Sequence, residues 1–323
     1  MADRIPLHIV SHPRCLDHDT GGGEHPEVAA RLTALGAGLR AANLETDAGV
    51  VTARPASRAE VTAVHPETYL LRLEEAALSG KSWLGHPDNQ MGYDTYEIAL
   101  LAAGAGLVGI DLLETGAAVN VFCPVRPPGH HAEPTVPLGF CFLNNCAIAA
   151  RYWQRAHGRD RIAIFDFDAH HGNGIETVFE EDAEVFYISI HEHPTFSFPG
   201  TGFAENKGTG AGTGYTLNLP VMPGTGDGVV RELFRRRVVP AMEAFAPGAI
   251  IVAAGFDGHR DDDMSGLGYS AELYGFFGTE LGALADRLCA GRLLSILEGG
   301  YHLESLAASG VQYCRALAGR QKS

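Results

Sequence analysis

Positive charge is what this chain has least of: 24 lysines and arginines face 39 aspartates and glutamates over 323 residues, a formal charge of -15. Such a surface repels phosphate backbones, which argues against direct nucleic-acid binding. It would attract cationic amines or lysine-rich tails, although acidity serves solubility equally well. Membrane signals are missing too. The opening MADRIPLHIV has neither the charged nor the apolar region of a signal peptide. The longest apolar stretch, 98–110, is too short and too rich in Gly and Ala to cross a bilayer. A cytoplasmic protein without membrane contact is the expectation. Cys15, Cys123, Cys141, Cys146, Cys289 and Cys314 form no Cys-x-x-Cys pair and several sit in apolar runs, so reduced core thiols are expected. No repeat, low-complexity tract or linker interrupts the sequence. The glycine-rich segment 208–214 reads as a surface loop, and one domain over residues 1–323 is the simplest account.

What is present is the balance of a globular protein, 46% hydrophobic and 20% charged, in a chain long enough for one large core. Short apolar runs alternate with longer helical stretches. The expected strands are 117–123, 161–167, 185–190, 249–254 and 293–297, nearly continuous in Val, Ile, Leu, Phe and Ala, as when both sheet faces are covered. Between them 96–114, 145–157, 227–245 and 271–289 read as helices, and a last helix spans about 303–317. This alternation predicts an α/β fold, a parallel sheet with helices on both faces.

Four polar clusters lie at or just after strand ends: RPPGHH (126–131), DFDAHHGNG (166–174), GFDGHRDDD (255–263) and EGGY (298–301). Ligands of parallel α/β sheets bind outside the carboxyl ends of strands, so the four should meet in one crevice. In the second cluster Asp166, Asp168 and His170 recur at a spacing of two, on one side of an extended chain. Two carboxylates and an imidazole are costly to bury without a cation, and their oxygen and nitrogen atoms suit zinc at roughly 2.0–2.2 Å. A surface acidic turn or a helix cap near Gly174 is the competing reading, weakened by the apolar residues just before. Asp257, bracketed by Gly255 and Gly258, is the natural third ligand. Three protein ligands leave a position open for water, as in a catalytic site. The run Asp261–Asp263 reads as a solvated loop or helix cap.

The tandem His130–His131 follows a stiff Pro-Pro-Gly approach and is the candidate general base, with Asp166 and Asn173 as candidate partners that orient the two imidazoles. Tyr301, after Gly299–Gly300, is placed to stabilise an oxyanion; alone it would pass for an ordinary strand-end tyrosine.

Together RPPGHHA (126–132), GFCFLNN (139–145), DFDAHHGNG (166–174), FPGTG (198–202), AAGFDGHRDD (253–262) and LEGGYH (297–302) resemble the zinc-dependent histone deacetylase superfamily. HPRCLDHDTG (12–21) and HPEVAARL (25–32) resemble its N-terminal loop, so the likeness covers nearly the whole chain in order. Bacterial histone deacetylase-like amidohydrolases and acetylpolyamine amidohydrolases belong to that group. The resemblance implies the arginase/deacetylase fold, an eight-stranded parallel sheet between helices. It implies zinc on Asp168, His170 and Asp257, with His131 as general base, His130 supporting charge, and Tyr301 as the transition-state tyrosine. Gly139, Phe140 and Phe198 would line a channel that sandwiches an aliphatic chain, with Asp88 as a rim residue binding substrate backbone. One potassium ion is implied at Asp166, Asp168, His170, Ser189 and Ile190, and a second around Phe179, Asp182, Val185 and Tyr215. Asn at 173, where class I members usually carry Asp, resembles class II-like proteins and should leave His131 less basic.

The implied reaction is hydrolysis of an N-acyl, in particular N-acetyl, group by a metal-activated water, releasing an amine. The acyl donor is an acylated lysine peptide or, as the alternative, a small acetylated polyamine. An arginase-like ureohydrolase and a non-catalytic acyl-lysine binding module are the remaining readings; the tandem histidine and EGGY oppose the first, the intact ligand set the second. The oligomeric state stays open, a homo-oligomer included.

Overall fold

The structure, a computed structural model, describes residues 7–22 and 24–320. Its strands are β1 (His8–Ser11), β2 (Val50–Thr52), β3 (Val121–Cys123), β4 (Ile162–Asp166), β5 (Val185–Glu192), β6 (Thr216–Val221), β7 (Ala249–Ala254) and β8 (Leu293–Leu297). They form one sheet in the order β2-β1-β3-β8-β7-β4-β5-β6, and every neighbouring pair is parallel. The five strands expected from continuous apolar runs are β3, β4, β5, β7 and β8. The other three are short or broken in pattern, and all lie toward the two edges.

Side chains of the central strands alternate between two cores. In β4, Ala163 and Phe165 point into one layer while Ile162 and Ile164 point into the other. The first layer is closed by α1 (Ala30–Ala41), α4 (Ala271–Cys289) and α5 (Leu303–Ala318), through residues such as Leu39, Phe277 and Tyr313. The second is closed by α2 (Thr95–Glu114) and α3 (Asn145–His157), through Ala102, Ile110 and Trp153. Helix α2 is long and apolar enough to pass for a membrane span, yet 72% of its most apolar window is buried. All six cysteines are buried and free.

Two predicted helices show why their bounds were readable. Asn144 caps α3 by accepting the Ala147 N–H at 2.9 Å, and Gly158 ends it with φ 63°. The expected helix 227–245 is continuous but widens into a π turn at Phe234–Val238. Pro240 cannot donate to the carbonyl of Arg236 four residues back, and the wider turn absorbs the mismatch.

For the site, the decisive feature is strand order. β3, β8, β7 and β4 are consecutive in the sheet. They deliver RPPGHH, EGGY, GFDGHRDDD and DFDAHHGNG, so the four clusters emerge side by side at the carboxyl end of the sheet's central strands.

Candidate active site

Asp168, His170 and Asp257 are all buried, and one ligand atom from each lies within 4.8 Å of the others. His170 Nδ1 sits 3.1 Å from Asp168 Oδ1 and 3.0 Å from Asp257 Oδ2. Its other nitrogen donates to the Met264 carbonyl at 3.0 Å, which leaves the Nδ1 lone pair facing the two carboxylates. Against the effect of burial, Asp257 and Asp168 raise the His170 pKa well above its ordinary value, so a proton or a metal ion offsets the two carboxylates there, and the donor set suits a divalent metal. The outer oxygens are held by backbone. Asp168 Oδ2 accepts the Gly299 N–H at 2.8 Å, and Asp257 Oδ1 accepts the Ala169 N–H at 2.9 Å. Burial and the Asp168 charge raise the Asp257 carboxyl to about 6, with His170 opposing. At Asp168 burial is outweighed by His130 and His170, which hold its carboxyl far below the ordinary range. The pair resists carrying two charges without compensation.

Glycine makes this crowding possible. A Cβ on Gly255 would collide with the Asp168 carboxylate, and one on Gly299 with those of Asp257 and Asp168. Gly300 has φ 117°, open to glycine alone.

Asp166 is not part of the ligand group. The shared-face expectation fails beyond it because β4 ends at Asp166 and the chain bends through 168–170. Its Oδ2 instead lies 3.1 Å from His130 Nδ1 and accepts the Tyr187 hydroxyl, while Oδ1 accepts the Asp168 N–H. The second imidazole has its own partner: His131 Nδ1 lies 2.8 Å from Asn173 Oδ1. The amide orientation is fixed because Asn173 Nδ2 donates to Glu133 at 2.9 Å. His131 therefore carries its proton on Nδ1 and presents an Nε2 lone pair. The rings are 3.9 Å apart yet their surroundings bias them in opposite directions. Burial would depress His130, but Asp168 and Asp166 raise it to about 10, whereas burial, His130 and His170 push His131 well down. A protonated and a neutral imidazole side by side are a poised acid and base.

Tyr301 and His302 donate their backbone N–H groups to one oxygen of Asp262, at 2.6 and 2.9 Å. Of the run expected as a solvated loop or helix cap, Asp261 and Asp263 are exposed, whereas Asp262 is buried and takes N–H groups just ahead of the helix Leu303–Ala318. The Arg31 guanidinium lies 4.7 Å over the Tyr301 ring, and Phe140 meets the ring edge-on at 5.7 Å. Phe198 packs 5.0 Å from His131, and a Cβ on Gly139 would strike His131 and touch Phe198, so these residues lie together beside the tandem histidine. Phe140 has φ 68°, held by Asn89, which accepts the Phe140 N–H and donates to the Cys141 carbonyl, both at 2.8 Å. Asp88 adjoins Asn89; its carbonyl lies 3.0 Å from His25 Nε2 and its carboxylate 2.7 Å from His86 Nδ1.

Of the residues of the first implied potassium site, Ser189 lies beside Asp166 across the β4–β5 pair, with its hydroxyl 2.7 Å from His191 Nδ1. At the second, the Asp182 carboxylate is already engaged by Arg151 at 2.6 Å and the Glu184 N–H, and the Tyr215 carbonyl by the Tyr187 N–H. Sequence reasoning missed Glu133, Asn89, Glu298 and the Met264 carbonyl. Only Glu298, a buried acid inside a quoted motif, left any signal; Glu133 is half-buried and lies one residue past RPPGHHA.

Fold and site together combine a parallel α/β sheet with a buried Asp-His-Asp group that suits a metal ion, beside two imidazoles. Residues 25–317 match the histone deacetylase domain family. Chloroplastic histone deacetylase 14 of Arabidopsis thaliana is 38% identical over 311 residues, 91% of this chain and 73% of its own length. The histone deacetylase-like amidohydrolase of Pseudomonas aeruginosa is 35% identical over 299 residues, 93% of this chain and 77% of its own. Polyamine deacetylase HDAC10 of Homo sapiens is 38% identical over 92% of this chain and 44% of its own length. The crystal structure of the HDA15 HD domain superposes with a TM-score of 0.92 at 34% identity, covering 98% of this chain and 90% of that one. The chain belongs to the histone deacetylase family and is a deacetylase-type amidohydrolase.

Proposed function

We propose that the chain hydrolyses N-acetyl groups from lysine side chains or comparable linear amines, with zinc at Asp168, His170 and Asp257. The observation that carries this reading is the His131–Asn173 contact of 2.8 Å beside the metal-ligand cluster, which leaves a neutral Nε2 as base. Bound zinc would supply a Lewis acid for the acyl oxygen and lower the pKa of water, to about 7 in favourable sites. His131 Nε2 takes the proton of the attacking water. His130, held as an imidazolium by Asp166, offsets the negative charge of the tetrahedral intermediate and supplies a proton to the departing nitrogen. The Tyr301 hydroxyl donates to the acyl oxygen as it becomes anionic. Phe140 and Phe198 flank the aliphatic stem and keep water from the amide. Potassium at Asp166, Asp168, His170, Ser189 and the Ile190 carbonyl would offset the local negative charge; the second site, with Asp182 engaged by Arg151, would rest on backbone carbonyls.

Tyr301→Phe should abolish most turnover of an acetyl-lysine peptide while zinc, measured by mass spectrometry, stays bound; near-normal deacetylation would remove the tyrosine from the mechanism. Asp257→Ala should lose zinc, and full retention would refute the ligand set. The formal charge of -15 supports a second reading, in which the substrate is an acetylated polyamine. The relative HDAC10 carries the name polyamine deacetylase. Comparing kcat/KM for acetyl-lysine peptides and acetylpolyamines decides between the two.

A further inference from the structure

Glu298 opens the EGGY segment and is fully buried. Its Oε2 accepts two adjacent backbone N–H groups, from Gly129 at 2.6 Å and His130 at 3.0 Å. Among the described residues its other oxygen is paired with the Cys146 thiol, at 3.5 Å. No salt bridge to an arginine or lysine engages its carboxylate among the described residues, and burial pushes its carboxyl up to about 7 against the pull of His130 and the two N–H groups. A buried acid of this kind is expensive, and an apolar residue would be the cheaper filling. What it gains is placement. Its own backbone is tied on both sides: the N–H donates to the Ala254 carbonyl of β7 at 3.0 Å, and the carbonyl accepts from Arg31 at 2.5 Å. Tyr301 follows three residues later.

We propose that Glu298 is the positioning residue that sets the tandem-histidine turn in register with the Tyr301 loop. The strand order explains why one residue can do this. β3 and β8 are parallel neighbours with Cys123 opposite Ile296, so the segment leading to His130 and the one leading to Tyr301 leave the sheet together. Backbone N–H groups of a Pro-Pro-Gly turn have no neighbouring strand to donate to, and the Glu298 carboxylate supplies the acceptor. Through it, a shift of either loop is passed to the other, and the acid, the base and the tyrosine keep one geometry. The role is one of acceptor reach rather than charge, since both N–H groups converge on a single oxygen.

This inference rests on the deacetylase reading of the site, and its test is built to fail separately from it. Glu298→Gln keeps an oxygen that can accept both N–H groups; Glu298→Asp keeps the charge but withdraws it by one methylene; Glu298→Ala removes both. Displacing the histidines by a fraction of an ångström should lower kcat on the order of 100-fold in the Ala and Asp variants with KM little changed. The Gln variant should recover to within about tenfold of wild type. Zinc content should stay the same in all three. Independently of turnover, the Gly129 and His130 amide protons should be downfield and slow to exchange in wild type and in Glu298→Gln by NMR, and should lose both properties in Glu298→Ala. An active Asp variant beside an inactive Gln variant would show a charge role and overturn the proposal. So would unchanged amide protons in Glu298→Ala, or a loss of activity that merely follows loss of zinc. An inactive wild type with the expected amide pattern would overturn the deacetylase reading instead.

Discussion

The basicity of His131 is governed by a chain of two contacts rather than one. Asn173 accepts its Nδ1 proton, and Glu133 in turn holds the Asn173 amide the right way round. A neutral partner fixes the tautomer without stabilising the imidazolium, so the base stays deprotonated through neutral pH. Asn173→Asp would add a carboxylate 2.8 Å from Nδ1 and raise the His131 pKa. Because the base acts only when unprotonated, the acid limb of the kcat/KM profile should move to higher pH. The substitution also sets a new carboxylate against Glu133. The single variant should therefore be poorly active, and Glu133→Gln should restore activity in the double variant while keeping the shifted limb. A pH profile of the four proteins checks both; an unmoved limb would mean that Asn173 does not address the base.

At the scale of elements, the loops after β7 and β8 depend on one another through Asp262. Its carboxylate takes two consecutive N–H groups from the loop that carries Tyr301 and a third from Met264, whose carbonyl orients His170. Asp262→Ala should cost about 2 kcal/mol or more, since buried donors lose an ionised acceptor. It should also lower kcat by freeing Tyr301. Thermal denaturation and steady-state kinetics at equal zinc content check this. None of these contacts was legible in the sequence, because backbone donors and carbonyls carry no residue signature. The strand ends were legible for the opposite reason: 161–167, 249–254 and 293–297 are apolar on both faces, and polar residues begin where the sheet stops. Asp168, His170 and Asp257 stood out there, as did the tandem histidine. β6, TLNLPV, was hidden because Asn218 and Pro220 break the apolar pattern, which an edge strand tolerates. Helix α1 was hidden because Arg31, fully buried, occupies a position on its inner face.

Across the whole molecule the catalytic end of the sheet is braced from the far side by Glu27. Its carboxylate bridges Arg31 at 2.9 Å and Arg126 at 2.5 and 2.8 Å, and all three side chains are fully buried. Arg31 reaches on to the carbonyls of Glu298 and Gly300, and Arg126 to those of Cys15 and His18. The N-terminal segment, the tandem-histidine turn and the EGGY loop thus share one ionic centre, although the spacing of Glu27 and Arg31 in HPEVAARL shows only a helical pair. Burial alone would raise the Glu27 carboxyl; the two guanidiniums outweigh it and hold it at about 2. The folded value lies below that of an unfolded glutamate, near about 4.3. Its contribution to stability is therefore complete above that unfolded value and is lost as pH falls through about 2. Glu27→Gln leaves two buried guanidiniums short of a counter-charge and should destabilise the fold by roughly 3–5 kcal/mol at neutral pH. Urea midpoints for both proteins between pH 7 and pH 2 give the test. The difference between them should be constant down to about pH 5 and then shrink as the wild-type carboxylate is neutralised. A gap that persists undiminished to the lowest pH would place the loss in packing and not in the ionic centre.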